Sequence, residues 1–192
     1  KGTVLFHDTA KDPYAAIMMD GHREVWAIDN GDFNIWLNSL YYSAEKRPAK
    51  KDSLSQAKEV LKAKAVFENT KAIPLDTRVM QSDNAFWYNL SNDDWSAVKI
   101  TNEGWTTVDN PPILFRRFRH QNSQVHPSAE GDIKRILKYI NLQENHTLFL
   151  CWLVCCFVPN IPHAMPIFFG EKGAAKTTAC TLLKKLIDPS AL

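Results

Sequence analysis

No uninterrupted apolar run in this sequence exceeds the 11 residues from Leu148 to Val158, whereas a membrane-spanning helix needs about 18 or more. No membrane association is therefore expected. The first residues, Lys1-Gly2-Thr3-Val4, lack the apolar stretch of a secretory signal. They also lack an initiating methionine, which points to a piece of a longer protein. Cysteine is scarce: Cys151, Cys155, Cys156 and Cys180 form no Cys-x-x-Cys pair, and three of them lie inside the apolar run. A thiol there behaves as a small hydrophobe, which argues against a structural metal or a disulfide framework. The expected compartment is reducing, hence intracellular and cytoplasmic. There is no internal repeat and no low-complexity tract. A net charge of +2 is too small to announce a polyanion binder by itself. What is present, 45% hydrophobic and 23% charged over 192 residues, fits an ordinary globular chain of one large or two small domains.

The charge is unevenly placed. Residues 1–110 hold 13 Lys/Arg against 16 Asp/Glu, net −3, and residues 111–192 hold 10 against 5, net +5. A basic second half suits a polyanion site late in the chain, although chance scatter of surface charge competes evenly with that reading. The run Lys46-Arg47-Pro48-Ala49-Lys50-Lys51 reads first as a solvated, proline-broken loop and only second as a phosphate contact.

Hydrophobic spacing predicts the elements. Residues 14–19 and 23–28 flank Asp20-Gly21 as a hairpin, with Trp26 and Ile28 on one strand face. A helix is expected from Asp32 as N-cap, burying Phe33, Trp36, Leu37 and Leu40. A second should open on a capping box of Ser53 and Gln56 and continue through Leu54, Ala57, Leu61 and Ala65. Residues 72–80, 85–90, 95–100, 105–108 and 113–118, divided by turn clusters, read as a strand meander. Its tryptophans are expected in the core rather than as a stacking platform for bases. Asp132 should then cap a helix carrying Ile133, Ile136, Leu137 and Ile140. Asn145 should cap another, apolar all round, buried on every side and stopped by Pro159. An apolar strand is expected over 165–169.

Directly after that strand stands Gly170-Glu171-Lys172-Gly173-Ala174-Ala175-Lys176-Thr177-Thr178, followed by a helix with Leu182, Leu183 and Leu186 on one side. This order suits a phosphate-binding loop. Small residues let backbone N–H groups close around a β-phosphate, and the helix N-terminus adds unpaired amides and its dipole. Lys176 would reach the β- and γ-phosphates of ATP, and the Thr177 hydroxyl would ligate Mg2+. The strict Walker A pattern has glycine before the lysine, and Ala175 stands there instead.

An alanine at that position also occurs in the MCM group of replicative helicases. More of the chain resembles the ATPases of phages, plasmids and other mobile elements, grouped near the superfamily 3 and poxvirus-type primase–helicases of the AAA+ class. The resembling residues are Tyr88-Asn89-Leu90, Trp95, Val98, Ile100, Gly104-Trp105, Pro112, Phe115-Arg116-Arg117, Pro127 and Asn141. Pro162 and Pro166 lead into the loop, and Asp188-Pro189-Ser190 closes its helix. The resemblance implies a DNA-translocating ATP hydrolase that assembles as a homo-oligomeric ring, usually a hexamer. It implies roles for residues 170–178 alone. The acidic second strand, the sensor and the arginine finger of such enzymes match nothing here, the sequence running only 16 residues past Lys176. The 192-residue chain by itself is therefore expected not to hydrolyse ATP.

The expected fold class is thus an α+β N-terminal region (hairpin, helices, strand meander), then helices and the first strand–P-loop–helix unit of an α/β ATPase domain. The expected segments are 1–125, an accessory domain; 126–164, a helical linker; and 165–192, the start of the ATPase domain. Arg116, Arg117 and Arg119, with His120 beside them, form the candidate DNA site. Strand alternation would put Arg117 and Arg119 on one face and Arg116 opposite, and charge protecting a strand edge explains them slightly better. Two other readings stand beside the helicase: a non-catalytic module binding nucleic acid or a replication partner, and a different P-loop NTPase class.

Overall fold

The Asp20-Gly21 dipeptide sets the first sheet. In a computed structural model, which describes residues 2–68, 72–142 and 144–191, both turn residues have positive φ, 46° and 90°. That is the geometry a two-residue hairpin needs. Strands β2 (Pro13–Met19) and β3 (His22–Ala27) pair across it, Met19 facing His22. A strand not foreseen, β1 (Val4–His7), pairs antiparallel with β2. Its connection hides from turn-dipeptide reading because one side chain builds it: Asp8 Oδ1 accepts from the N–H groups of Ala10 and Asp12, each at 2.9 Å.

This sheet belongs to the first of two units, residues 1–77 with 110–117. Ala15 and Ile17 of β2 pack with Ile28, Phe33 and Ala65, and Trp26, Trp36, Leu37 and Leu61 close around them. Helix α1 (Gly31–Glu45) is capped by Asn30, whose Oδ1 accepts from Asp32 N–H at 3.2 Å. Asp32 is therefore not the cap but a first-turn acid, where the helix dipole favours it. Of the expected buried set, Leu40 is exposed. Helix α2 (Lys51–Ala63) begins at Lys51, two residues before the expected box, so Ser53 lies within the helix and no side chain caps the start. A π-helical turn, Lys64–Glu68, carries Ala65 into the core. The basic run simply joins these helices, with Lys46 as the left-handed C-cap of α1 and Lys50 as the N-cap of α2. Residues 113–118 form no strand. Phe115 makes one bridge with Asp76, and the prolines before it cannot donate to a ladder.

The second unit comprises residues 78–109 and 118–192. Its sheet is a four-stranded antiparallel meander: β4 (Val79–Ser82), β5 (Ala85–Asn89), β6 (Ala97–Thr101) and β7 (Gly104–Val108), in sequence order. Asp83 and Asn84 turn between β4 and β5 with φ of 50° and 59°. Asp132 does cap the next element, its Oδ1 accepting from Lys134 N–H at 2.9 Å. That element, Ile133–Lys138, is a 3₁₀ helix rather than an α-helix, the tighter winding common in short pieces. Asn145 precedes helix α3 (His146–Cys155) in a left-handed conformation and makes no side-chain cap bond. Nor is α3 buried on every side. Leu153 packs with Ile140, Ala179 and Leu183, while Leu148 and Val154 face solvent. All four cysteines are free thiols. No helix among the described residues is long and apolar enough to cross a membrane.

Helix α4 (Lys176–Ile187) ends on a hydrogen-bonded clamp. Arg78, only 5% exposed, donates from Nε to Asp188 Oδ1 at 2.7 Å. Its remaining donors reach the carbonyls of Asn89, Pro189 and Asn122 and the Ser91 hydroxyl, at 3.0–3.2 Å. Tyr88 Oη donates to Ile187 O at 2.8 Å, and Gln124 Nε2 to Leu186 O at 2.8 Å. Burial pushes the Tyr88 phenol above its ordinary pKa, against the opposing effects of the Gln124 hydrogen bond and the Arg78 charge. Arg78→Ala strands several carbonyls and should lower stability by about 3 kcal/mol in urea unfolding. Asp188→Asn, at a half-exposed carboxylate, should cost about 1 kcal/mol or less; equal losses would refute this ranking.

Candidate phosphate-binding loop

The residues after Phe169 fold back on themselves because three of them take positive φ: Gly170 (142°), Gly173 (88°) and Ala175 (54°). Glycine meets no penalty in such conformations, whereas a Cβ does. A short-range backbone bond, Ala174 N–H to Glu171 O at 3.3 Å, spans the turn. Ala175 then serves as N-cap of α4, and no side chain caps that terminus. A helix leaves its first N–H groups without intrahelical partners, so those of this first turn point outward, unanswered by a capping side chain.

Lys176 opens α4 and returns toward the loop. Its Nζ donates to the carbonyls of Gly170 at 3.0 Å and Glu171 at 2.8 Å. Two loop carbonyls thus hold a primary ammonium at the positive end of a helix. Thr177 and Thr178 follow, both exposed, and a shallow groove runs on past them along Thr181, Leu182 and Lys185. Glu171, Lys172, Gly173 and Ala174 are exposed as well. A Cβ built on Gly173 would meet nothing within 4 Å. The loop therefore has open space on that side, and its glycine is required by φ rather than by crowding. All nine expected residues, 170–178, are contiguous around this turn.

The strand expected before the loop is absent. Residues 165–169 carry no strand pairing, and among the described residues no parallel β-α unit forms. Met165, Ile167 and Phe169 are 87%, 82% and 91% exposed, whereas Phe168 packs on the Leu153–Leu183 cluster. The segment is apolar throughout, but it lacks the neighbour that a strand needs, and only Phe168 turns inward. Trp152 Nε1 holds the segment's start by donating to Ala164 O at 2.8 Å.

The arginines fall differently from the expected strand faces. Arg116 and Arg117 are half-buried in the first unit, and Arg119 is exposed in the second. The Arg116 guanidinium lies 5.6 Å from the centre of the Tyr14 ring, and its backbone N–H donates to Asp76 O at 2.9 Å. With no strand over 113–118, face alternation and edge protection both lapse as accounts of this cluster. Sequence reasoning passed over Arg78. Its signal was a lone arginine abutting the apolar Val79-Met80 pair, where a buried cation demands partners.

Compared with protein-family models, curated proteins and solved structures, the chain matches none.

Ala175 is an L-residue in the left-handed region at the position where the strict motif places glycine. Ala175→Gly should therefore raise stability by about 0.5 kcal/mol, after allowing for the freer unfolded chain. Gly173→Ala, with ample room but φ of +88°, should lower it by about 1 kcal/mol. Opposite signs in parallel urea titrations are the expected result; a destabilising Ala175→Gly would contradict the loop geometry.

Proposed function

We propose that this chain binds ATP with magnesium through residues 170–178, as part of a DNA-translocating ATPase of the helicase or primase–helicase type found in mobile elements. One observation carries the reading: Lys176 Nζ sits between the carbonyls of Gly170 and Glu171 at the start of α4. An ammonium so placed can exchange two neutral carbonyl acceptors for the charged β- and γ-oxygens of a nucleotide, which are stronger acceptors. The uncapped first turn of α4 adds backbone donors and dipole on the same side.

The donor set suits the metal as well. Thr177 presents an exposed hydroxyl one residue after the lysine, and this hard oxygen would hold magnesium. The ion, when bound, neutralises charge on the β- and γ-oxygens. Lys176 orients those phosphates, and Gly170, Gly173 and Ala175 shape the backbone that surrounds them. The likeness of the flanking residues to superfamily 3-type ATPases supports the helicase class, and with it DNA as partner and a homo-oligomeric ring.

Lys176→Ala should weaken binding of a fluorescent ATP analogue in magnesium at least tenfold while leaving thermal unfolding close to wild type, because the lysine head is solvent-accessible. Unchanged affinity would dismiss the loop as a nucleotide site.

DNA binding should be non-specific and fall steeply with salt, as phosphate neutralisation releases counterions. Replacing Arg117 and Arg119 together by alanine should flatten the log–log salt slope on duplex DNA, by about 0.9 for each phosphate that the variant no longer neutralises. Fluorescence anisotropy at several salt concentrations measures this, and coincident slopes would move the DNA site away from these arginines.

A further inference from the structure

The second unit contains a cavity of about 250 Å³ that is separate from the phosphate loop. One wall is the sheet face of Tyr88, Val98 and Ile100; Phe157, Pro127 and Leu186 form the others. Leu186 is on the last turn of α4. Ten residues of rise at 1.5 Å each set Leu186 about 15 Å from Lys176 at the loop end of the helix. A nucleotide held by its phosphates at Lys176 has no part in lining this space.

The chemistry of the walls defines what fits. None of the lining residues carries a charge. Its two polar side chains are already engaged. Tyr88 Oη donates to Ile187 O at 2.8 Å and accepts from Gln124 Nε2 at 3.2 Å, while Gln124 Oε1 accepts from Val125 N–H at 2.9 Å. A ligand here is offered almost no free donor or acceptor, so a charged or strongly polar molecule would lose its hydration without replacement. Size and shape add to this. An enclosed apolar cavity of about 150 Å³ suffices for benzene; this pocket is larger, about 250 Å³, but opens to solvent, so a second fused ring fits with one edge toward water. Tyr88 and Phe157 pack on each other with ring centres 5.5 Å apart and planes at 51°, forming one aromatic corner that offers an edge or a face to a ring laid against it. We propose that the cavity bounded by Tyr88, Val98, Phe157 and Leu186 is a binding site for a small uncharged bicyclic aromatic molecule.

Indole is the probe, with benzoate as the charged control, and binding to the full chain is read by saturation-transfer NMR and calorimetry. Indole should bind saturably and raise the unfolding temperature, and benzoate should do neither. Val98→Phe fills the cavity from the sheet side and should weaken indole at least tenfold. Because that change risks disturbing a buried position, Val125→Trp provides a second variant, closing the mouth from a residue that is 78% exposed; it should weaken indole to the same extent. Lys176→Ala should leave indole affinity unchanged, so failure of the ATP reading and failure of this one are distinguishable. No saturable indole binding, or undiminished affinity in folded Val125→Trp, overturns the proposal.

Discussion

The hold on the last turn of α4 is the constraint from which the second unit takes its form. A helix C-terminus leaves carbonyls without partners, and helices commonly answer them with a glycine-based cap. Here Asp188 stands at the cap and the answer comes from side chains of remote sequence. Gln124 serves Lys185 and Leu186, Tyr88 serves Ile187, and Arg78 pairs with Asp188 while also binding Pro189 O. Arg78 is buried as a cation, tolerable because its guanidinium N–H groups all find acceptors and the Tyr88 ring lies 5.8 Å away. Removing Arg78 therefore strips a bond from every one of these acceptors at once.

The opposite end of the same helix is left open. Its first-turn amides have no capping side chain, and the preceding loop turns through three positive φ values, one of them at alanine. The two ends of one helix are thus treated differently: the C-terminal carbonyls are answered by side chains near the sheet, and the N-terminal amides are left without a capping side chain.

Several elements were legible from local chemistry alone. The Asp20-Gly21 hairpin, the Asp132 cap and the turns of the meander each depend on residues within two or three positions of one another. At residues 170–178 the turn and the helix behind it were legible in the same way, glycines and helix formers standing in one short stretch, whereas the strand before them was not. The misses share the opposite property. β1 depends on an Asp8 side chain that replaces a turn dipeptide, and the π-helical turn at 64–68 depends on packing of Ala65 against residues of β2. Arg78 reaches residues from 11 to 111 positions away, so its role could be read only from three dimensions.

Residues 165–169 make the same point in its sharpest form. Their continuous apolar composition is that of a buried strand, yet only Phe168 turns inward. A helix satisfies its backbone within its own segment, so a good periodic pattern is nearly sufficient to produce one. A strand satisfies its backbone only against a neighbour, and a strand apolar on both faces also requires cover on both. Sequence pattern therefore states the capacity of this segment to pair, and pairing itself belongs to whatever lies beside it. The same logic separates α3 from its expectation: the apolar circumference is a property of the segment, whereas burial is a property of its surroundings, and here Leu153 is covered while Leu148 and Val154 remain in solvent.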